Sequence, residues 1–298
     1  FIQIKYFLRT LYIISAKTIK KFFFVRNMWG VAFQFADNWD DIVLRKSTKI
    51  KNPKYRFLAD PIVQIHDKRN IIFVEDFNFK KNKGLISAIE VFSKDKYNFL
   101  GPVLEENFHL SYPYVFKVKD EIYMCPESNQ SNDIRLYKCE NFPDKWNLHK
   151  IIMNDVSASD SNIFYHDDKW WLFTNICSSN IGDHCSELHI FYSDSFDSSN
   201  WKKHPMNPVV FDSRFARNGG KILSKDKKLY RVFQKQAFEI YGASYGIAEI
   251  CNLDLLSYKE KILFETTANY FRKSIGTHTF SFEENVATHD FFKKQFSL

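Results

Sequence analysis

The sequence predicts an all-β fold, a five-bladed β-propeller with four-stranded blades. Three observations predict it. A hairpin-like unit recurs five times, starting near residues 60, 112, 160, 219 and 277, at spacings of 52, 48, 59 and 58. Every unit except the last is followed by two further strand-like runs, and no helical period appears inside the units. A self-similar strand unit of roughly 40–60 residues marks a ring of blades, and closing the ring leaves only short, protected strand edges.

The first unit sets the pattern. Phe57-Leu-Ala-Asp60-Pro leads an apolar run to His66, Asp67-Lys-Arg-Asn70 is turn chemistry, and Ile71 to Glu75 is β-branched and aromatic before it ends on a carboxylate. Asp60 to Glu75 is a step of 15 residues, and Tyr112 to Glu127 in the second unit is another 15. The third unit starts at Asp160, turns at Asp167-Asp-Lys169 and continues Trp170-Trp-Leu-Phe-Thr174. The fourth runs from Gly220 through a turn at Lys225-Asp-Lys-Lys228, and the fifth from Thr277 through Glu283-Glu-Asn285. Third strands are expected at 84–92, 134–139, 188–193 and 245–250, and fourth strands at 99–104, 146–153, 201–210 and 258–264. The fifth unit lacks this pair, so runs 29–35 and 42–50, ahead of the first unit, are expected to complete it and latch the ring.

Composition agrees with one ring. At 298 residues the chain buries a full core, and aromatic residues, 17% of it with 31 Phe, suit strands and blade-to-blade packing. Only 9 glycines are present, so Asp, Asn and Lys carry the turns. The five scattered cysteines are no disulfide framework, which points to a reducing, cytoplasmic setting. The charge is uneven. The net charge is +7, yet the residues before Asp37 hold six bases (Lys5, Arg9, Lys17, Lys20, Lys21, Arg26) and no acid. The chain therefore divides into a basic segment, 1–28, and the propeller, 29–298. Charges interrupt the segment too often for a membrane span or a secretory signal. It reads as a linker, a helix packed on the ring, the tail of a preceding domain, or an amphipathic helix peripheral to the inner face of a membrane. Lysines elsewhere are dispersed over turns, which argues against nucleic acid.

In a propeller the first strand of each blade lines the channel. First-strand starts and second-strand ends therefore meet at one mouth. Here they carry Asp60, Glu75, His109, Ser111, Tyr112, Glu127, Asp160, Asn175, Arg217, Gln234 and His278. Paired carboxylates are what acid/base work on a glycosidic bond needs, with one of them holding its proton through burial or a like-charged neighbour. Asp60 and Asp160 are the expected acid/base pair and Glu127 the third catalytic candidate. Glu75, His109, Ser111, Tyr112, Asn175, Arg217, Gln234 and His278 are expected to bind substrate, with Tyr112 offering an apolar face to a sugar. His184-Cys185 with His189 lacks the spacing of a metal site, so no metal or cofactor is expected.

Certain stretches carry a closer likeness. Phe57-Leu-Ala-Asp-Pro61, His109-Leu-Ser-Tyr-Pro113, Tyr123-Met-Cys-Pro-Glu-Ser128, Phe142-Pro-x-x-Trp146, Asp160-Ser, Trp170-Trp-Leu-Phe and Ala216-Arg217 resemble the propeller domain at the N-terminus of plant glucosamine inositolphosphorylceramide transferases, along with bacterial relatives found with surface-polysaccharide genes. The likeness covers about residues 29–298. That domain is in turn similar to the five-bladed glycosidases, among them arabinanases, xylosidases and invertases. Those enzymes place Asp, Asp and Glu on their first three blades. Asp60 fits the first, but blade two opens on Ser111-Tyr112 and blade three on Asp160. The resemblance implies a carbohydrate-active domain acting on a glycan, glycolipid or nucleotide sugar, or a noncatalytic sugar-recognition or interaction domain that serves a partner glycosyltransferase.

Overall fold

The computed structural model describes residues 2–22, 25–178, 183–237 and 240–296. Five small antiparallel sheets form the five blades. Blade one is Arg56–His66, Arg69–Asn78, Lys83–Ser93 and Lys96–Leu104, and blade two is Ser111–Val118, Glu121–Glu127, Asp133–Asn141 and Lys145–Asn154. Blade three has Ala158–His166, Lys169–Ile176 and Glu187–Ser193. Its outer edge is two short pieces, Lys202–Lys203 and Val210–Phe211, where the sequence suggested one strand. Blade four is Leu223–Lys225, Lys228–Ala237, Ile240–Leu253 and Tyr258–Glu265.

Blade five joins the two ends of the chain. Its inner strands are Phe280–Glu283 and Val286–Phe296, and Val25–Phe35 pairs with the latter along its whole length, from Val25 against Phe296 to Phe35 against Val286. The expected closure is therefore present, with two corrections. The closing strand starts at Val25, four residues before Trp29, because Val286–Phe296 is long enough to pair with all of it. The expected run 42–50 is strand only at Thr48–Lys49. Ahead of it, Trp39–Asp41 and Leu44–Lys46 form single 3-10 turns that tuck Trp39 against Tyr230 of blade four.

Apolar side chains alternate along the strands, so each sheet has two faces to bury. Each face packs on the next blade. Phe73 and Trp146 lie between blades one and two, Tyr114 and Leu172 between two and three, Phe173 and Tyr258 between three and four, Tyr245 and Phe280 between four and five, and Phe33 and Val63 between five and one. Each such side chain contributes about 1.5–3 kcal/mol relative to exposure. Polar groups close the end of the channel remote from the site. Lys221 of blade four pairs with Glu283 of blade five and donates to the Val63 carbonyl at 3.2 Å, and Gln64 of blade one donates to Glu283 at 2.7 Å.

Candidate active site

One backbone device builds the site. In blades one, two and three the pairing of the first two strands slips at the same place, between Ala59 and Ile62, between Ser111 and Tyr114, and between Ser159 and Asn162. Each slip is a β-bulge, which turns a strand and re-aims a side chain. The bulged residues Asp60, Tyr112 and Asp160 have φ of 49°, 40° and 48°, a left-handed conformation costing a non-glycine residue about 1–3 kcal/mol. Beside each bulge the second strand supplies the partner residue, Glu75 opposite Ala59, Glu127 opposite Ser111 and Asn175 opposite Ser159. The 15-residue step in the sequence is thus the length of a bulged hairpin.

Asp60 and Asp160 are buried in different ways. Asp160 is held on both oxygens by donors. Its Oδ2 accepts from Arg217 Nε at 2.6 Å and from Gln234 Nε2 at 2.7 Å, and its Oδ1 accepts from Arg217 Nη2 at 3.3 Å. Asp60 accepts from the Tyr112 backbone N–H at 3.3 Å and from the Thr279 hydroxyl at 3.0 Å, and His278 Nε2 lies 3.4 Å from its Oδ1. Burial pushes the Asp60 carboxyl up to about 6, against the pull of His278. Behind His278 stands Asp290, fully buried and in close contact with His278 Nδ1. Burial alone would discourage the imidazolium, but Asp290 and Asp60 outweigh it, and the net shift of His278 is upward. Ligand atoms of Asp60, His278 and Asp290 lie within 4.8 Å of one another, a set that could hold a metal ion. The two carboxylates on either side of His278 favour its charged form.

Glu127 and Glu75 complete the cluster. Arg217 Nη2 reaches Glu127 Oε2 at 3.3 Å, yet burial and then the Asp160 charge push the Glu127 carboxyl up to about 8. Burial, followed by the charges of Asp60 and Glu127, drives Glu75 well above the usual carboxylate range. His109 Nδ1 accepts from the Gly84 N–H at 2.9 Å, which leaves Nε2 facing Glu75 Oε1 at 3.4 Å. Burial and mutual repulsion thus raise three carboxyls to different extents, Asp60 to about 6, Glu127 to about 8 and Glu75 well above the usual range, while Asp160 is engaged by Arg217 and Gln234.

Of the residues expected at the mouth, these contacts join Asp160, Glu127, Arg217 and Gln234 in one group, Asp60 and His278 in a second and Glu75 and His109 in a third, and the charges of Asp60, Glu75, Glu127 and Asp160 act across the groups. Ser111 is buried beside them, paired in register with Glu127. Two assignments change. Tyr112 is fully buried and cannot stack on a sugar. It crosses from blade two toward blade four, where its hydroxyl donates to Gly220 O at 3.0 Å and accepts the Gly220 N–H at 2.8 Å. A β-carbon on Gly220 would stand 1.7 Å from Phe280 O, so only glycine fits at this crossing. Asn175 spends its amide on the backbone, donating to Glu187 O and Ala216 O and accepting from Asn218 N, each at 2.9 Å. The exposed aromatic face belongs instead to Tyr241, whose ring lies 5.4 Å from the Arg217 guanidinium and 5.4 Å from the His278 ring. Trp29 stacks on His278 at 4.0 Å. Sequence reading missed Tyr241, Trp29 and Asp290. Asp290 had a signal, since an acid stands in the second strand of the fifth unit as Glu75 and Glu127 do in theirs. Tyr241 had none, because it sits beyond the expected start of its strand.

Fold and site together define a propeller with a glycoside-hydrolase-like fold and a buried carboxylate cluster. The fold is similar to a family 117 glycoside hydrolase of the marine bacterium Zobellia galactanivorans, with a TM-score of 0.55 at 11% identity over 91% of this chain and 92% of that one. It is also similar to a thermostable family 43 glycoside hydrolase, with a TM-score of 0.55 at 10% identity over 70% and 75%. In sequence, residues 38–278 match the family described as "Glucosamine inositolphosphorylceramide transferase 1, N-terminal", and the chain belongs to that family. It is 34% identical over 207 residues to glucosamine inositolphosphorylceramide transferase 1 of Oryza sativa subsp. japonica and 35% identical over 207 residues to that of Arabidopsis thaliana. The match covers 68% of this chain and 27% of each relative, so the chain spans about a quarter of their length. A carbohydrate-related function follows from membership in this glycosyltransferase-related family.

Proposed function

We propose that the domain performs acid/base chemistry on a glycan, glycolipid or nucleotide sugar in cell-surface polysaccharide or glycolipid synthesis. One observation carries the reading: buried Asp60, Glu75 and Glu127 raise one another's proton affinity, to about 6 for Asp60 and about 8 for Glu127, beside Asp160, which Arg217 and Gln234 hold. Packing gains nothing from burying them together, whereas transfer at a glycosidic bond needs one carboxyl that gives a proton and one that takes it. Glu127 is the proton donor, because it keeps its proton to about pH 8. Asp60 is the base or nucleophile, its charge supported by His278 with Asp290 behind it. Asp160 no longer serves as an acid or base in this scheme: its oxygens are engaged, and its role is to hold Arg217. Tyr241 offers the stacking face. The relatives' greater length favours action alongside a glycosyltransferase domain.

The saturation of Asp160 also supports a second reading, a pocket that recognises a sugar without turning it over. One experiment separates the two. Purified protein is screened against nucleotide sugars and glycan fragments for binding and for turnover, with Asp60→Asn and Glu127→Gln in parallel. Acid/base chemistry predicts a rate loss of about 10²–10⁴-fold with affinity little changed. Recognition alone predicts no turnover and weaker binding by about 1–3 kcal/mol. Unchanged binding and activity in both variants would refute the site.

A further inference from the structure

We propose that the helix Ile2–Phe22 lies on an anionic lipid surface and holds the pocket face of the ring toward that surface. The inference stands apart from whether the pocket turns over sugar. It rests on three observations: the helix is uncovered, its charge has one sign, and it leaves the ring at the pocket end.

Along its described side chains the helix stands uncovered. Among its described side chains, residues 3–15, all are exposed except the half-buried Ile13, and the large apolar ones from Ile4 to Ile14 are 45–75% exposed. Ile4, Phe7, Leu8 and Leu11 follow the three-four spacing that places side chains on one helical face, and Lys5 and Arg9 fall off it. The helix contains five bases (Lys5, Arg9, Lys17, Lys20, Lys21) and no acid. An apolar stripe beside unbroken positive charge complements an anionic bilayer interface. An acid-free helix is poorly suited to pairing with a copy of itself, because like charges would face each other. No helix among the described residues is long and apolar enough to cross a membrane, so this one lies along the surface.

Chain direction supplies the orientation. Inner strands start at the pocket end, so second strands finish there. In blade five the second strand is Val286–Phe296, and its antiparallel partner Val25–Phe35 therefore starts at the pocket end. Trp29, which walls the site against His278, pairs with Phe292, and Val25 pairs with Phe296 four residues further out. At about 3.3 Å per strand residue Val25 lies about 13 Å beyond Trp29. Three chain steps of about 3.8 Å then bring the end of the helix within about 25 Å of the site. A surface that binds the helix meets the pocket end of the ring, and a sugar carried on a lipid head group would approach the carboxylates from there.

The test is co-sedimentation of the full chain with phosphatidylcholine vesicles with and without phosphatidylserine. Binding is expected only with phosphatidylserine, and it should weaken as salt rises. Each cation near an anionic leaflet is worth about fivefold in affinity, so Lys5→Gln with Lys17→Gln should weaken binding about 25-fold. Phe7→Glu should abolish it, and removal of residues 1–22 should do the same while leaving the melting temperature of the ring in place. Amide exchange on the bound protein should show new protection in the pocket-end loops at 51–55 and 79–82. Equal binding to neutral vesicles, binding that survives removal of residues 1–22, or self-association abolished by Phe7→Glu without lipid binding would overturn the proposal. Protection confined to the opposite turns at 67–68 and 94–95 would overturn its orientation.

Discussion

Replacing Glu127 by Gln tests the electrostatics of the site without any substrate. Glu127 has its proton affinity raised from 4.5 to about 8, by burial first and by Asp160 second. A carboxyl whose folded pKa lies above its unfolded value stabilises the fold fully below the unfolded value, and that contribution is lost as pH rises to the folded value. The window is therefore pH 4.5 to about 8. At about 1.36 kcal/mol for each tenfold change in proton affinity, the loss across it is about 5 kcal/mol. Glutamine keeps an oxygen that can accept from Arg217 Nη2 and has no proton to lose. Near pH 4.5 the two proteins should be about equally stable, and by pH 8 the variant should be the more stable by several kcal/mol. Reversible denaturant unfolding at half-unit steps from about pH 4.5 to 9 measures the difference directly. Parallel stability curves would mean that Glu127 is already ionised in the folded protein, and the proposed proton donor would be lost with it.

Other outcomes follow from the same contacts. Arg217→Met strands Asp160 and Glu127 without their cation. It should cost about 3–5 kcal/mol at pH 7 by denaturant unfolding. Gly220→Ala forces a β-carbon onto Phe280 O, so it should destabilise by more than about 4 kcal/mol or leave no soluble protein. A chain starting at Lys54 lacks the closing strand and should show no cooperative melt, whereas one starting at Val25 should melt as the full chain does.

The ring was legible because its repeat rests on strand alternation and turn residues, both local properties. The arrangement was legible to the extent that it obeys the repeat: Asp60, Glu75, Glu127 and Asp160 stand at matching bulge positions, near enough for their charges to act on one another. What escaped was set by distance in space. Asn175 occupies the same repeat position as Glu75 and Glu127, but it is consumed by backbone groups at Glu187, Ala216 and Asn218. Tyr112 opens its unit as Asp60 does, yet its length carries it to Gly220, 108 residues away in sequence. Neither outcome has a local sequence signal. The closing strand was underestimated for a related reason. Residues 25–28 are strand because Lys293–Phe296 lie beside them, and their own sequence does not announce it.

The shared blade also fixes how the ring responds to force. Val25 and Phe296 lie side by side at one end of an antiparallel pair. Tension applied through the two ends of the chain would peel that pair apart one rung at a time, the geometry of a zipper. Resistance would be modest, since each rung bears the load alone. Opening would start at the end nearer the carboxylate cluster, and the fifth rung to part is Trp29 with Phe292. The indole would leave His278 while the inner strand Phe280–Glu283 is still paired, so a pull on the ends would disarm the site well before it unfolded the ring.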